Sequence, residues 1–86
     1  MVENRIPMKT LPQIGSQLRQ ARKIRFPDDD LAAFAVRIGV SRATLQKMEK
    51  GELSVTLANY HRAAGVLSLS HTFNSLFELP ESLFDD

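Results

Sequence analysis

The stretch from Leu31 to Gly51 constrains the fold more than any other part of the chain, because two apolar stripes of helical period flank a turn signal. The first stripe has four apolar residues at positions i, i+3, i+4 and i+7 of one helix face: Leu31, Phe34, Ala35 and Ile38. Gly39 then ends that helix, since a residue without Cβ can adopt a positive φ, and the Ser41 hydroxyl can cap the next one. Leu45 and Met48 face back toward the first helix. The sequence therefore predicts two short helices joined by a tight turn.

The second of these helices, predicted over about residues 42–50, leaves a polar and basic face on its outer side. A helix placed after such a turn can enter the major groove of DNA, where its N-terminal residues meet the base edges. Arg42 can donate two hydrogen bonds to guanine, Ala43 is small enough for close approach, and Lys47 lies on the same face. We expect base contacts from these three residues. Further contacts with the DNA backbone or bases are expected from Ser41, Thr44, Gln46, Arg37 and Lys50.

Residues 38–45, IGVSRATL, followed by residues 48–51, MEKG, resemble the XRE (Cro/CI-repressor) family, whose pattern is roughly LGVSxxTLxxxExG. The resemblance covers about residues 13–69. It implies an all-α, five-helix, lambda-repressor-like DNA-binding domain with a helix-turn-helix at helices two and three. It also implies a structural pair between Arg22 and Glu49, because a carboxylate on the inner side of a DNA-facing helix would repel phosphate unless it were neutralised.

The chain after Gly51, through SVTL at residues 54–57 and Asn59-Tyr60, is similar to HipB-like antitoxins. That similarity implies a transcriptional repressor that binds a palindromic operator in double-stranded DNA as a homodimer. It also implies a HipA-like kinase toxin as a partner, and autoregulation of the toxin–antitoxin operon. A stand-alone phage- or plasmid-type repressor without a toxin partner is one alternative.

A second alternative, a protein-interaction module with an inactive helix-turn-helix, arises from the turn at residues 26–30. Pro27 ends the first helix there, and the turn supplies the predicted cap of the next helix, Asp30. Three consecutive carboxylates would repel a DNA backbone: Asp28, Asp29 and Asp30. Leu31 also stands where the resembled family often has a glutamine that reaches a phosphate. The acidic turn therefore leaves DNA binding open.

The chain divides into a flexible N-terminal arm (residues 1–9), a DNA-binding domain (residues 10–77) and an acidic, apolar C-terminal tail (residues 78–86). The domain is predicted to begin with a capping box at Thr10 and Gln13, and its first helix continues to about residue 25. The net charge is only +1, but residues 1–50 carry ten basic and five acidic side chains, whereas residues 51–86 carry one basic and five acidic ones. This asymmetry indicates two ends with different partners.

Helix four is predicted from a cap at Thr56 or Ser54 to about Leu67, with Arg62 directed outward. Its inner stripe consists of Leu57, Tyr60, Ala64 and Leu67. A last helix over residues 71–77, capped by Ser70, has more large apolar side chains than a terminal helix of a monomer needs. We expect a homodimer or partner interface formed by Phe73, Leu76, Phe77, Leu83 and Phe84.

An enzyme is not expected, because the sequence has no nucleophile set, no pair of catalytic carboxylates and no glycine-rich phosphate loop. His61 and His71 each stand alone, so neither a metal nor a cofactor is expected. The absence of cysteine excludes disulfides and thiol chemistry and fits the reducing cytoplasm. The longest apolar run, residues 31–36, is far too short to span a bilayer, so no membrane contact is expected.

Overall fold

A computed structural model describes residues 9–80 of the 86-residue chain, and these residues form an all-helical fold. Four α-helices precede a short 3₁₀ helix: α1 (Pro12–Arg25), α2 (Leu31–Ile38), α3 (Arg42–Glu49), α4 (Leu57–Val66) and the 3₁₀ helix (Ser70–Ser75). Within residues 9–80 no strand forms, although Thr10 and Glu52 make an isolated antiparallel bridge. The predicted all-α class with five helices is confirmed. Residues 1–8 of the predicted arm and residues 81–86 of the predicted tail lie outside the described part of the chain.

Three helices begin at side-chain caps that the sequence predicts. Asp30 caps α2, Ser41 caps α3 and Thr56 caps α4, each accepting a hydrogen bond from the backbone N–H three residues later, at 2.8, 3.0 and 3.4 Å. Thr56 rather than Ser54 is therefore the cap of α4. Gly39 ends α2 in the left-handed conformation, with φ at +76°, as the sequence predicts.

The start of α1 differs from the prediction. Leu11 is the N-cap residue, and no side chain caps the helix, so the capping box at Thr10 is wrong. The reason is a tertiary contact, because the segment before α1 pairs with the loop after α3. The Leu11 N–H donates to the Gly51 carbonyl (2.8 Å), and the Leu53 N–H donates to the Lys9 carbonyl (3.0 Å).

The last helix also differs from the prediction. It is a 3₁₀ helix that ends at Ser75 rather than an α-helix that continues to Phe77, and the Ser70 side chain does not cap it. Its sequence, SHTFNS, is poor in strong α-helix formers, and its short polar side chains compete for backbone groups. The Thr72 hydroxyl, for example, donates to the Leu69 carbonyl (2.7 Å). None of the six residues is buried, so this helix is held mainly by its contact with α4.

The core lies where α2 packs against α3 and α4. It consists of seven buried apolar residues in one cluster: Phe34, Ala35, Ile38, Leu45, Met48, Ala63 and Leu67. The inner positions predicted for α2 and α3 are confirmed. The buried positions in α4 are Ala63 and Ala64, and Leu67 directly after the helix is buried as well, whereas Leu57 is 60% exposed. Its assignment to the inner stripe is wrong, because Leu57 lines an apolar groove open to solvent rather than the core. No helix within residues 9–80 combines the length and apolar character needed to cross a membrane.

α1 approaches the end of α3 so closely that Gly15 has no room for a side chain. A Cβ placed on Gly15 would lie 2.5 Å from both the Glu49 carbonyl oxygen and the Gly51 amide nitrogen. Both are backbone atoms, which cannot rotate away as a flexible side chain could. No sequence pattern marks this glycine, because its neighbour lies more than thirty residues later in the chain.

Gly15→Ala should therefore destabilise the protein by about 1–3 kcal/mol, since the added methyl forces two backbone segments apart. Gly65→Ala is the matched control, because a Cβ on this α4 residue meets no atom within 4 Å. That variant should be neutral or stabilised by about 0.4–1 kcal/mol. Urea denaturation followed by circular dichroism measures both. Equal effects of the two substitutions would contradict the close contact.

Candidate nucleic-acid interface

The outer side of α3 brings together most of the residues that the sequence assigns to DNA contact, whereas Arg37 lies on α2. We use the term α3 face for its exposed members: Ser41, Arg42, Ala43, Gln46, Lys47 and Lys50. Thr44 is half-buried beside them, while Leu45 and Met48 on the opposite side are fully buried. Among the described residues, none of the three cations of the α3 face forms an ion pair. The face therefore presents uncompensated positive charge to solvent.

The turn between α2 and α3 fixes the direction of this face. Gly39 takes the left-handed conformation, and the Val40 N–H then donates to the Ala35 carbonyl (3.0 Å), which closes the end of α2. The half-buried Val40 side chain packs against the core. At the start of α3, the Ser41 hydroxyl accepts from the Thr44 N–H and donates to the Thr44 hydroxyl, both at 3.0 Å. The first turn of α3 is thus locally fixed.

A buried ion pair joins α3 to α1. Arg22 Nε lies 2.6 Å from Glu49 Oε2, and Arg22 Nη2 lies 3.0 Å from Glu49 Oε1, which is a bidentate arrangement. The two side chains are only 7% and 9% exposed. The hydrogen bonds to the Glu49 carboxylate raise the pKa of Arg22, against the opposing effect of burial. The pair predicted from the family resemblance is confirmed, and it holds both charges away from the α3 face.

Glu49→Ala should destabilise the fold by about 3–5 kcal/mol, because it leaves the Arg22 guanidinium buried without a counter-charge. The double variant Arg22→Met/Glu49→Leu replaces the pair by apolar side chains and should lose much less stability. Thermal and urea unfolding of the parent, the single and the double variant measure the difference. A Glu49→Ala protein with the parent's stability would show that the pair contributes nothing to the fold.

Arg37 is exposed on α2, but another group already holds its guanidinium. Its Nε and Nη2 donate to the two Asp29 carboxylate oxygens, at 2.5 and 3.2 Å. The guanidinium carbon also lies 4.1 Å from the centre of the Phe26 ring, a cation–π contact. Arg37 therefore fastens the turn before α2, and a phosphate would have to compete with Asp29 for it. Of the three turn carboxylates, Asp29 is paired and Asp30 caps α2.

The Arg37 hydrogen bonds hold the pKa of Asp29 below its ordinary value of 3.8. The native carboxyl group then binds a proton at lower pH than the unfolded one, so its contribution to stability is present above the ordinary value and lost as the pH falls through the native value. Asp29→Asn removes this contribution. The stability gap between parent and variant should be constant near neutral pH and should narrow below about pH 4.

Urea denaturation of both proteins across this pH range tests the expectation. Asp28→Asn is the control, because it removes one exposed carboxylate from the same turn without touching Arg37. If the two asparagine variants follow the same pH dependence, the Asp29–Arg37 pair does not act in solution.

Arg62 is exposed, as predicted, yet its guanidinium has partners that the sequence does not indicate. Its Nε donates to the Ile38 carbonyl (3.2 Å), and its Nη2 donates to Asn59 Oδ1. A cation at the C-terminus of a helix satisfies an unpaired carbonyl and offsets the partial negative charge there. Arg62 thereby ties α4 to the end of α2, immediately before the turn to α3. A backbone carbonyl 24 residues earlier has no sequence signature.

A second candidate surface is an apolar groove of about 330 Å³ between α1, α4 and the 3₁₀ helix, termed here the α1–α4 groove. Side chains from all three helices line it, including Ile14, Leu18, Leu57, Tyr60, Phe73 and Leu76. The groove exists because α1 packs mainly on α3, whereas α4 packs on α2 and the 3₁₀ helix. None of the lining residues is charged.

Of the residues predicted for a dimer or partner interface, two line this groove and a third is exposed to solvent. Phe73 is half-buried, with its ring edge-on to His61 at 5.1 Å between centroids, and it lines the groove with Leu76. Phe77 does not line the groove and is 92% exposed. The other two predicted members, Leu83 and Phe84, lie outside the described residues.

No protein-family model, curated protein or solved structure matches this chain in our comparisons. Within residues 9–80, no group of three or more histidine, aspartate or glutamate side chains is placed to hold a metal ion.

Proposed function

We propose that this protein is a sequence-specific DNA-binding transcriptional repressor that reads double-stranded DNA with α3. The observation that carries the proposal is the α3 face itself. Arg42, Lys47 and Lys50 lie exposed and unpaired among the described residues, on a helix whose opposite side is fully buried. A short helix fixed by a turn and an ion pair, with a basic outer side, suits insertion into a major groove.

Each part of the interface has a distinct role. Arg42 occupies the first position of α3, where a recognition helix meets base edges, and its guanidinium can donate two hydrogen bonds to guanine. Lys47 lies more than one turn later on the same face. Ala43 leaves room for the helix to approach the bases. Lys50, Gln46 and the hydroxyl of Ser41 would add contacts with the phosphate backbone or the base edges, and their phosphate contacts would position the helix on the duplex.

The acidic turn supports the alternative of an inactive helix-turn-helix less strongly than the sequence suggests, because two of its three carboxylates have partners within the fold. Asp29 is neutralised by Arg37, and Asp30 is turned to the backbone of α2, so Asp28 is the remaining exposed carboxylate without a partner among residues 9–80. Because its guanidinium binds Asp29, Arg37 is less available to contact phosphate.

The assembly we propose is a twofold homodimer on a palindromic operator, with two copies of α3 in successive major grooves about 34 Å apart. Occupying a promoter would block transcription. The narrower role as an antitoxin, holding a HipA-like kinase toxin and repressing its own operon, rests on the resemblance at residues 38–60. A stand-alone repressor without a toxin partner shares the same DNA interface.

Arg42→Ala should weaken binding to the selected sequence by about 1–3 kcal/mol and change binding to random DNA little, because a bidentate base contact is lost. The operator is first selected from a random duplex library, and fluorescence anisotropy then measures binding at two salt concentrations. Lys23→Ala is the control, since it removes one exposed cation from α1 rather than from α3.

Binding that falls steeply with salt yet survives excess random DNA is the expected parental behaviour. Equal losses on both DNAs for Arg42→Ala would make Arg42 a phosphate contact. No binding of the parent at low salt would overturn the proposed function.

A further inference from the structure

We propose that two side chains of α4, Arg62 and Tyr60, act as positioning residues for α3 and thereby contribute to the choice of DNA sequence without touching the DNA. Arg62 binds the chain segment that enters α3, and Tyr60 binds the segment that leaves it. The inference rests on the proposed function, because it assigns to α4 the orientation of the helix that reads the bases. Neither residue belongs to the α3 face.

α3 is too short to set its own orientation. It has eight residues, and isolated helices shorter than about 12–15 residues are marginal in water. Its packing is mainly on α1 and α2, whereas α4 packs mainly on α2 and the 3₁₀ helix. Any influence of α4 on the orientation of α3 is therefore exerted largely through the segments at the two ends of α3.

Arg62 holds the segment before α3. Ile38 is the last residue of α2, and the carbonyl groups of a final helical turn lack partners within the helix. Arg62 Nε donates to the Ile38 carbonyl (3.2 Å), while its Nη2 donates to Asn59 Oδ1 one turn earlier on α4. The guanidinium is thus bound on two sides, and it fixes the end of α2 directly before the turn at Gly39.

Tyr60 holds the segment after α3. Its hydroxyl donates to the Glu52 carbonyl (2.6 Å), and its half-buried ring packs against the core, so the hydroxyl has little freedom to move. The Glu52 N–H in turn donates to the Lys47 carbonyl in the last turn of α3 (3.1 Å). Glu52 therefore joins α4 to the end of α3 through its two backbone groups.

The orientation of α3 matters more for base contacts than for phosphate contacts. Hydrogen bonds to base edges need a correct distance and angle, whereas attraction between a cation and phosphate falls off slowly with distance. Base contacts select the sequence, and phosphate contacts supply affinity for any duplex. Loosening either end of α3 should therefore reduce binding to the selected operator more than binding to random DNA.

The first test compares the two DNAs by fluorescence anisotropy. Arg62→Met and Tyr60→Phe should each lower the affinity for the selected operator by about fivefold to tenfold, the equivalent of one lost hydrogen bond, and change the affinity for random DNA little. Arg19→Met is the matched control, because it removes the same charge from an exposed arginine of α1. It should leave the ratio of the two affinities unchanged.

The conservative variant Arg62→Lys separates positioning from a purely structural role. Lysine has one nitrogen for the two contacts of Arg62, so its affinity ratio should lie between those of the parent and Arg62→Met. The Tm of each variant should fall by no more than about 4–8 °C, the shift that one hydrogen bond gives in a domain of this size. A role in overall stability alone would lower both affinities together with the Tm.

The second test needs no DNA and measures amide hydrogen exchange of the protein alone by NMR. Arg62→Met should speed exchange by about fivefold to tenfold at Gly39 and Val40, whose N–H groups donate to carbonyls of α2. Tyr60→Phe should do the same at Glu52. Amides in the middle of α1 should be unaffected by either change, and Arg19→Met should alter neither end of α3.

Several results would overturn the inference. Unchanged exchange at both ends of α3 would show that α4 does not hold it, and faster exchange with an unchanged affinity ratio would show that base reading does not depend on this hold. A shallower salt dependence for Arg62→Met than for Arg19→Met would make Arg62 a phosphate contact. A parent that binds neither DNA would overturn the proposed function instead, and the exchange measurement would then decide separately whether α4 holds α3.

Discussion

The bidentate pair between Arg22 and Glu49 is the interaction on which the arrangement of this molecule depends. α2 and α3 are joined by a short turn and share an apolar core, so their packing follows from local signals. α1 has no such connection to α3, and its position is set by a buried charge pair and by the close backbone approach at Gly15. A buried pair adds little net stability but tolerates few alternative geometries. It therefore specifies where α1 lies more than how tightly it is held.

α1 contributes to both candidate surfaces, the α3 face and the α1–α4 groove. One side of the helix contacts α3, and the adjacent side lines the groove. Gly15 and Arg22, seven residues apart, face α3, whereas Ile14, Leu18 and Ala21 line the α1–α4 groove. The helix that positions the candidate DNA reader thus also forms one wall of the groove. The charged and the apolar surface are separate: the α3 face carries exposed cations, whereas no charged residue lines the α1–α4 groove. The two candidate surfaces therefore share no residue.

The elements that were predictable from the sequence are those whose determinants lie close together in the chain. The stripes of α2 and α3, the turn at Gly39 and the caps at Asp30 and Ser41 each depend on residues within one or two turns of each other. The Arg22–Glu49 pair, which lies 27 residues apart, was accessible only through a family resemblance. The all-α class follows from these local patterns.

Most of the failures have the opposite character, because contacts between elements override local preference there; the 3₁₀ helix, which follows from its own composition, is the exception. Thr10 has the spacing of a capping box, but backbone pairing with the loop after α3 places Leu11 at the N-cap. Arg37 and Arg62 look like free surface cations until the fold brings Asp29 and the Ile38 carbonyl to them.

The attachment of α1 also has a consequence for the motions of the chain. This helix of 14 residues, about 21 Å long, is fastened near its start by the backbone pairing at Leu11, in its second half by Arg22, and at its end by the Arg25 hydrogen bond to Ser68 (2.9 Å). A helix held along its whole length cannot fray by itself, so its central amides should exchange with solvent deuterium only when the domain unfolds as a unit. The 3₁₀ helix buries none of its residues and should open far more often. One wall of the groove is therefore rigid and the other is yielding, which would let the groove adjust its width to what enters it.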